Sequence, residues 1–308
     1  GRSGHGCGHN LLGVGAAAAA MALREEMEKG GLSGTLVVYG CPAEETLFGK
    51  TKMAEEGYFK ELDVALAWHP EDHYCCGEVC HKAMDSIRFR FHGRSAHASV
   101  CPEMGRSALD GAEMMSVGAN YLREHVPDDT RMHYTMTELP GPANIVPARA
   151  VGKFSLRSFS RTNLELVVER FYDIVKGAAL IAGVEYEIHP KSDFYNKIPV
   201  LKLNQLLMEN AELAGAPRLS PPRERTGSTD FGNVMYEIPG SCIRVAFVPE
   251  GTASHSQEFL DAGKSQAARD CVLYGAKSIA GACWDLIGTP GLMEEVKREF
   301  AENKKKFK

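Results

Sequence analysis

Five short segments, far apart in the chain, carry the side chains that bind divalent cations: Cys7-Gly8-His9, Pro42-Ala43-Glu44-Glu45, Trp68-His69-Pro70, Ser95-Ala96-His97 and Ser254-His255-Ser256. Thiolate, neutral imidazole and carboxylate are ligands for Zn²⁺, Mn²⁺ or Co²⁺, and hydrolysis at such ions also needs a carboxylate off the metal to carry a proton. Glu44 and Glu45 offer both kinds, because neighbouring side chains in a strand or turn point in different directions. Cys7 and His9, two positions apart where a loop enters a helix, can turn toward one ion. Each segment alone has a bland reading: an incidental Cys-x-His, two solvated carboxylates, a packed histidine at a strand end. In combination they read as the parts of one metal-dependent hydrolytic site.

The elements between them are of two textures. An alanine-rich helix over Leu11 to Lys29 is followed by the apolar run Thr35 to Gly40, a helix near Lys50 to Glu61, and the apolar run Val64 to Trp68. Continuous apolar runs fit strands covered on both faces, so this is α/β layering with motifs at strand ends, where open sheets place ligands. From Asp85 the pattern alternates instead, with Ile87, Phe89 and Phe91 set between Arg88 and Arg90. That strand has one wet face. A helix through Leu109 to Val126, strands around Met132 to Met136 and Phe154 to Leu156, a helix through Leu164 to Ala178 and a strand through Val184 to Ile188 complete a strand-helix-strand-strand-helix-strand order, the ferredoxin-like split unit. The first texture resumes near Asn196, with a helix over Val200 to Ala214, a strand through Ile243 to Phe247 and a helix over Ser265 to Leu286. The charged tail Lys297 to Lys308 is expected to fray. The expected fold is α/β: a three-layer α/β/α catalytic domain (1–84 and 194–308) interrupted by a ferredoxin-like domain (85–193).

Composition removes other classes. Charged residues are 24% of 308 and the net charge is -5, without the basic excess that nucleic-acid or anionic-membrane binding needs. Small solutes are the expected partners. Nine cysteines are an odd number without scaffold density, which fits a reducing, cytoplasmic setting. Cys75, Cys76 and Cys80 make poor ligand geometry as an adjacent pair and are expected to be ordinary thiols. Leu11 to Leu23 is shorter than the roughly 20 residues of a membrane span and lacks a signal-peptide cleavage pattern. Gly4-x-Gly6-x-Gly8 has the wrong spacing for a phosphate loop, and no Gly-x-Ser-x-Gly elbow is present. The chain opens at Gly1, without Met and almost on the first motif, which suggests that residues precede it.

His5-Gly6-Cys7-Gly8-His9-Asn10, Gly40-Cys41-Pro42-Ala43-Glu44-Glu45, Ala67-Trp68-His69-Pro70, Gly93-Arg94-Ser95-Ala96-His97-Ala98 and Ser254-His255-Ser256 resemble, in order, the motifs of M20-family metallopeptidases. Cysteine in the first motif resembles the amidohydrolase branch. Leu122 to Pro127 and Gly227 to Gly232 resemble the aminobenzoyl-glutamate hydrolase B-subunit type more narrowly. The resemblance implies two divalent ions, Mn or Zn and possibly Co, held by Cys7, His9, Glu45, His69 and His255, with Glu44 as general base. It implies that His97 reaches a neighbouring subunit's site to hold the oxyanion, that the inserted domain is a lid and dimerisation domain, and that Asn144 and Arg157 contact the polar or carboxylate ends of an N-acyl amino acid. It further implies a homodimer or a heterodimer with a related subunit. Asp230 is open between supporting the His255 loop and capping a turn. A weakly catalytic or regulatory subunit, and a Cys/His structural-zinc module, are the competing functions.

Overall fold

The computed structural model describes residues 4–46, 49–76, 81–138, 141–221 and 227–307. Cys80 lies outside them. The chain divides into two compact units: Gly1–His81 with Lys197–Gly227 and Asn233–Phe307, and Lys82–Asn196 with Ser228–Gly232.

The first unit begins with helix α1 (His9–Gly30), α2 (Gly49–Glu55), strand β1 (Ala65–Glu71) and the short β2 (Cys75–Cys76). The second unit supplies β3 (Ala83–His92), α3 (Ala108–Leu122), β4 (Arg131–Glu138), β5 (Arg149–Ser158), α4 (Arg161–Ala182) and β6 (Glu185–Phe194). After these come α5 (Leu201–Leu213), α6 (Phe231–Glu237), β7 (Gly240–Ala246), α7 (Gln257–Ala262), α8 (Gln266–Gly288) and α9 (Leu292–Phe307).

In the first unit β7 lies between β1, which it pairs in parallel, and β2, which it pairs in antiparallel fashion. Trp68 is fully buried between α1 and α8. Its indole takes the space over Gly15 and Gly275, where a Cβ would come within 2.5 Å of the ring, and its Nε1 donates to the Leu12 carbonyl at 2.9 Å. The small residues of α1 thus let the helix approach the strand that carries His69.

Three expectations fail here. Thr35 to Gly40 forms no strand, and Val37 and Val38 are 50% and 53% exposed. An apolar run encodes strand propensity but not the neighbour a strand must pair with, and none of the described strands pairs with this run. The charged tail does not fray: it is the body of α9. Val296 and Phe300 are buried, Glu299 accepts from the Leu201 and Lys202 amides at the start of α5, and Lys297 pairs with Asp63 at 2.5 Å. A dense charge run hid an apolar stripe at helical spacing, and Lys304 to Lys306 suit the negative end of the helix dipole. The helix expected over Lys50 to Glu61 stops early, at Glu55, with Gly57 at φ 83° just beyond it.

The second unit is a four-stranded antiparallel sheet in the order β4-β5-β3-β6. Helices α3 and α4 cover one face through Ile87, Phe89, Phe91, Phe154, Leu156 and Phe171. The alternate residues, Arg88, Arg90, Arg131, His133 and Arg157, occupy the open face. No helix among the described residues is long and apolar enough to cross a membrane.

Candidate metal centre

Gly8 takes the left-handed conformation (φ 67°) at the start of α1, and a Cβ there would lie 2.7 Å from Pro70 Cγ. Glycine is required twice, for the turn and for the approach. The turn sets Cys7 before the helix and His9 in its first position, where the His9 ring meets that of His69 edge-on at 5.5 Å. His69 sits near the end of β1, and its Nδ1 donates to the Pro70 carbonyl at 2.7 Å, which leaves the Nε2 lone pair for a ligand. Burial, then the charges of Arg244 and His9, push His69 down to about 3, so the ring is neutral at working pH.

Glu44 and Glu45 occupy a 3-10 turn directly after Ala43, whose φ is 61°. Their oxygens each lie 3.9 Å from a His9 ring nitrogen, Glu44 from Nε2 and Glu45 from Nδ1. His255, at φ 66°, donates its amide to the Gly6 carbonyl at 3.0 Å. Its Nε2 reaches Cys7 Sγ at 3.0 Å and Glu45 Oε2 at 3.9 Å. Among the described residues Ala43 and His255 are the only non-glycines with positive φ, and both adjoin this cluster. Such backbone is held only where the surroundings over-determine it, and it concentrates at functional sites.

Three overlapping triads result, Cys7/His9/His69, Cys7/Glu45/His255 and His9/Glu44/Glu45, each with its donor atoms within 4.8 Å of one another. Burial and then Glu45, with Glu44 and Glu71 adding, push the Cys7 thiol up to about 12. Those carboxylates oppose a thiolate unless a cation sits among them. The donor set therefore fits a divalent cation: sulfur, imidazole and carboxylate are within reach of one another, and the excess of negative donors is what a cation would relieve. All six residues read from the motifs of this unit, Cys7, His9, Glu44, Glu45, His69 and His255, come together.

His97, Asn144 and Arg157 belong to the other unit. His97 and Asn144 are neighbours: His97 bridges to Ile145, and the Ala98 amide donates to the Asn144 carbonyl at 3.0 Å. Both are exposed. Arg157 stands apart on β5, with Nη1 donating to Ser228 Oγ at 3.4 Å. The turn before α6 is capped by Thr229, whose Oγ1 accepts from the Phe231 amide, while Asp230 is fully buried.

The motifs did not reveal one supporting group. Asp72, buried two residues past Pro70, contacts His73 Nδ1 through Oδ1 at 2.5 Å and accepts the Gly251 amide through Oδ2 at 2.8 Å. It thereby ties the loop that carries His255 to the end of β1. Next to it Glu71 accepts from Arg244 at 2.8 Å. The signal available in the sequence was two acids directly after His69-Pro70.

Comparison with known proteins shows the family of the chain. Residues 2–279 match the profile of Peptidase family M20/M25/M40. The chain is 30% identical to the p-aminobenzoyl-glutamate hydrolase B-subunit of Escherichia coli K12 over 98% of its own length and 74% of that protein. It is 31% identical to the Xaa-Arg dipeptidase of Mus musculus, over 96% of its own length and 70% of the other. A solved dinuclear metal-binding peptidase of the M20 family from Bacillus subtilis shares its fold, with a TM-score of 0.63 at 19% identity, over 90% of this chain and 72% of that one.

Proposed function

Because the chain belongs to Peptidase family M20/M25/M40, metallohydrolases that act on amide bonds, we propose that it releases the amino acid from N-acyl or N-aroyl amino acids, with p-aminobenzoyl-glutamate the leading substrate. The convergence of six donor side chains in three overlapping triads carries this reading. In it Cys7, His9, Glu45, His69 and His255 would hold two divalent ions, Mn, Zn or Co. Metal ions there would polarise the scissile carbonyl and lower the pKa of a bound water.

The chain's own residues do the rest. His69 offers Nε2 because Nδ1 is committed to the Pro70 carbonyl. Glu44, the less exposed carboxylate of the pair, takes the water proton on a side-chain oxygen and returns it to the leaving nitrogen. His97 donates to the oxyanion of a neighbouring copy's substrate, and Asn144 and Arg157 hold the substrate's polar and carboxylate ends. The inserted unit then serves as lid and dimerisation domain of a three-layer α/β/α catalytic domain, the partner being a second copy or a related subunit. The thiol ligand suits a reducing cytoplasm.

The test is hydrolysis of N-acyl amino acids by the chain with added Mn²⁺, Zn²⁺ or Co²⁺, with metal content measured alongside. Glu44→Gln should keep its metal and lose on the order of 10³-fold in kcat. Turnover near wild type would sink the assignment of the base. Metal binding without release from any substrate would favour a regulatory subunit instead.

A further inference from the structure

On the open face of the inserted unit's sheet, the cations at one end are balanced. Arg90 Nη1 lies 3.0 Å from Glu187, which also meets His92 and His189, and Arg88 and Arg149 share Glu138. At the other end they are not. Arg131 on β4 lies directly opposite Arg157 on β5, with His133 two residues along the same face and Lys82 just ahead of β3. Like charges directly opposed across a sheet cost stability. Among the described residues none of these four has a carboxylate within ion-pair distance.

Two of the four are anchored by backbone. Lys82 Nζ donates to the Asp129 carbonyl at 2.5 Å, and Arg131 Nη1 donates to the Asp128 and Thr130 carbonyls at 2.7 and 2.8 Å. One turn therefore holds both heads. The carboxylate of Asp129, in the same turn, is taken up by the Ser158 hydroxyl and the Phe159 amide. The Nε of Arg157 is buried without a partner. Burial pushes Lys82, His133 and Arg157 down, and Arg157 and Arg131 act against the charge on both Lys82 and His133. Cations crowded, anchored and short of counter-charge form a receptor for an anion.

We propose that Lys82, Arg131 and His133, beside Arg157, select substrates whose departing amino acid carries a second carboxylate, glutamate or aspartate, over those ending in a neutral or cationic residue. The inference rests on the reading that Arg157 takes the α-carboxylate. It adds that the neighbouring cations take the side-chain one. The two relatives differ on this point, one named for a glutamate conjugate and the other for dipeptides ending in arginine. The charge of this face sides with the first.

The experiment compares the metal-loaded full chain on p-aminobenzoyl derivatives of glutamate, glutamine and arginine, with thermal shifts by glutarate and glutaramate measured on the same protein. Glutamate should exceed glutamine in kcat/KM by about tenfold or more, the scale of a charged hydrogen bond, and arginine should be poorest. Arg131→Gln and Lys82→Gln should each raise KM for glutamate, leave kcat little changed and shrink the glutamate-to-glutamine ratio, and Arg131→Glu should move preference toward arginine. Loss of packing alone would lower all three substrates together. Hydrolysis without glutamate preference overturns this inference and leaves the hydrolase reading standing. No hydrolysis of any of the three sinks the hydrolase reading; a glutarate shift abolished in Arg131→Gln would still uphold the dianion receptor, and its absence would end both.

Discussion

The two units gather opposite charge. In the first, Glu44, Glu45 and a Cys7 thiol driven upward by burial and by these carboxylates crowd around three imidazoles. In the second, Arg131, Arg157, His133 and Lys82 crowd together with no carboxylate paired to them among the described residues. One cluster lacks a cation and the other an anion. The contrast within the second unit is as telling: Arg161 is largely buried, and Asp85 at 2.8 Å and Glu165 at 3.0 Å balance it, while its backbone amide donates to Asn196. A balanced ion already has its partners within the fold. An unbalanced one that the backbone pins in place points to something that arrives from outside.

The largest effect should come from breaking the negative cluster at a donor shared by two contacts. Glu45→Gln and His255→Ala should each lower metal affinity by about a hundredfold or more, since loss of mere supporting hydrogen bonds already costs roughly 10- to 100-fold. Titration calorimetry of the metal-free protein with Mn²⁺ and Zn²⁺ measures this. Unchanged affinity in both variants would remove them from the ligand set.

A smaller effect separates holding a metal from aiming its ligand. Asp72 ties Gly251, and with it the His255 loop, to the end of β1. His255 sits in left-handed backbone that a β-carbon disfavours, so it needs that restraint. Asp72→Ala should weaken metal binding by about tenfold. Its KM for a given substrate should stay near wild type once metal is saturating. Asp72→Asn should recover part of the affinity, because the amide oxygen still accepts from Gly251. A change in KM with unchanged metal affinity would place Asp72 elsewhere.

Much of the first cluster is legible in the sequence because metal chemistry uses few residue types, and those types stand in short motifs. Residue type and motif suffice to name Cys7, His9, Glu44, Glu45, His69 and His255. They do not name the supporting Asp72, because a carboxylate accepting a backbone amide has no pattern in sequence. The cationic face is half legible: alternation across Ile87 to Phe91 marks a wet side, but which cations lack partners depends on strand register, seen only when Arg131 falls opposite Arg157. Periodicity places α3 and α4 well. It fails at Thr35 to Gly40, where pairing decides, and at α9, where ten charged or amide side chains between Glu294 and Lys306 outweigh Val296 and Phe300 to the eye.

That last element supplies the control for both clusters. Phe300 is buried on α9 and stacks under Lys304, while Glu299 beside it caps α5. Phe300→Ala should cost about 3 kcal/mol of stability through the cavity it leaves. Because α9 contributes no residue to the donor triads or to the inserted sheet, metal affinity and the glutamate-to-glutamine ratio should stay at their wild-type values. Urea unfolding of the metal-free protein, paired with metal titration of the folded variant, reads the two separately. If Phe300→Ala weakened metal binding as much as Asp72→Ala does, the tether from Asp72 to Gly251 would carry no special role, and the sensitivity of the centre would belong to the stability of the whole first unit.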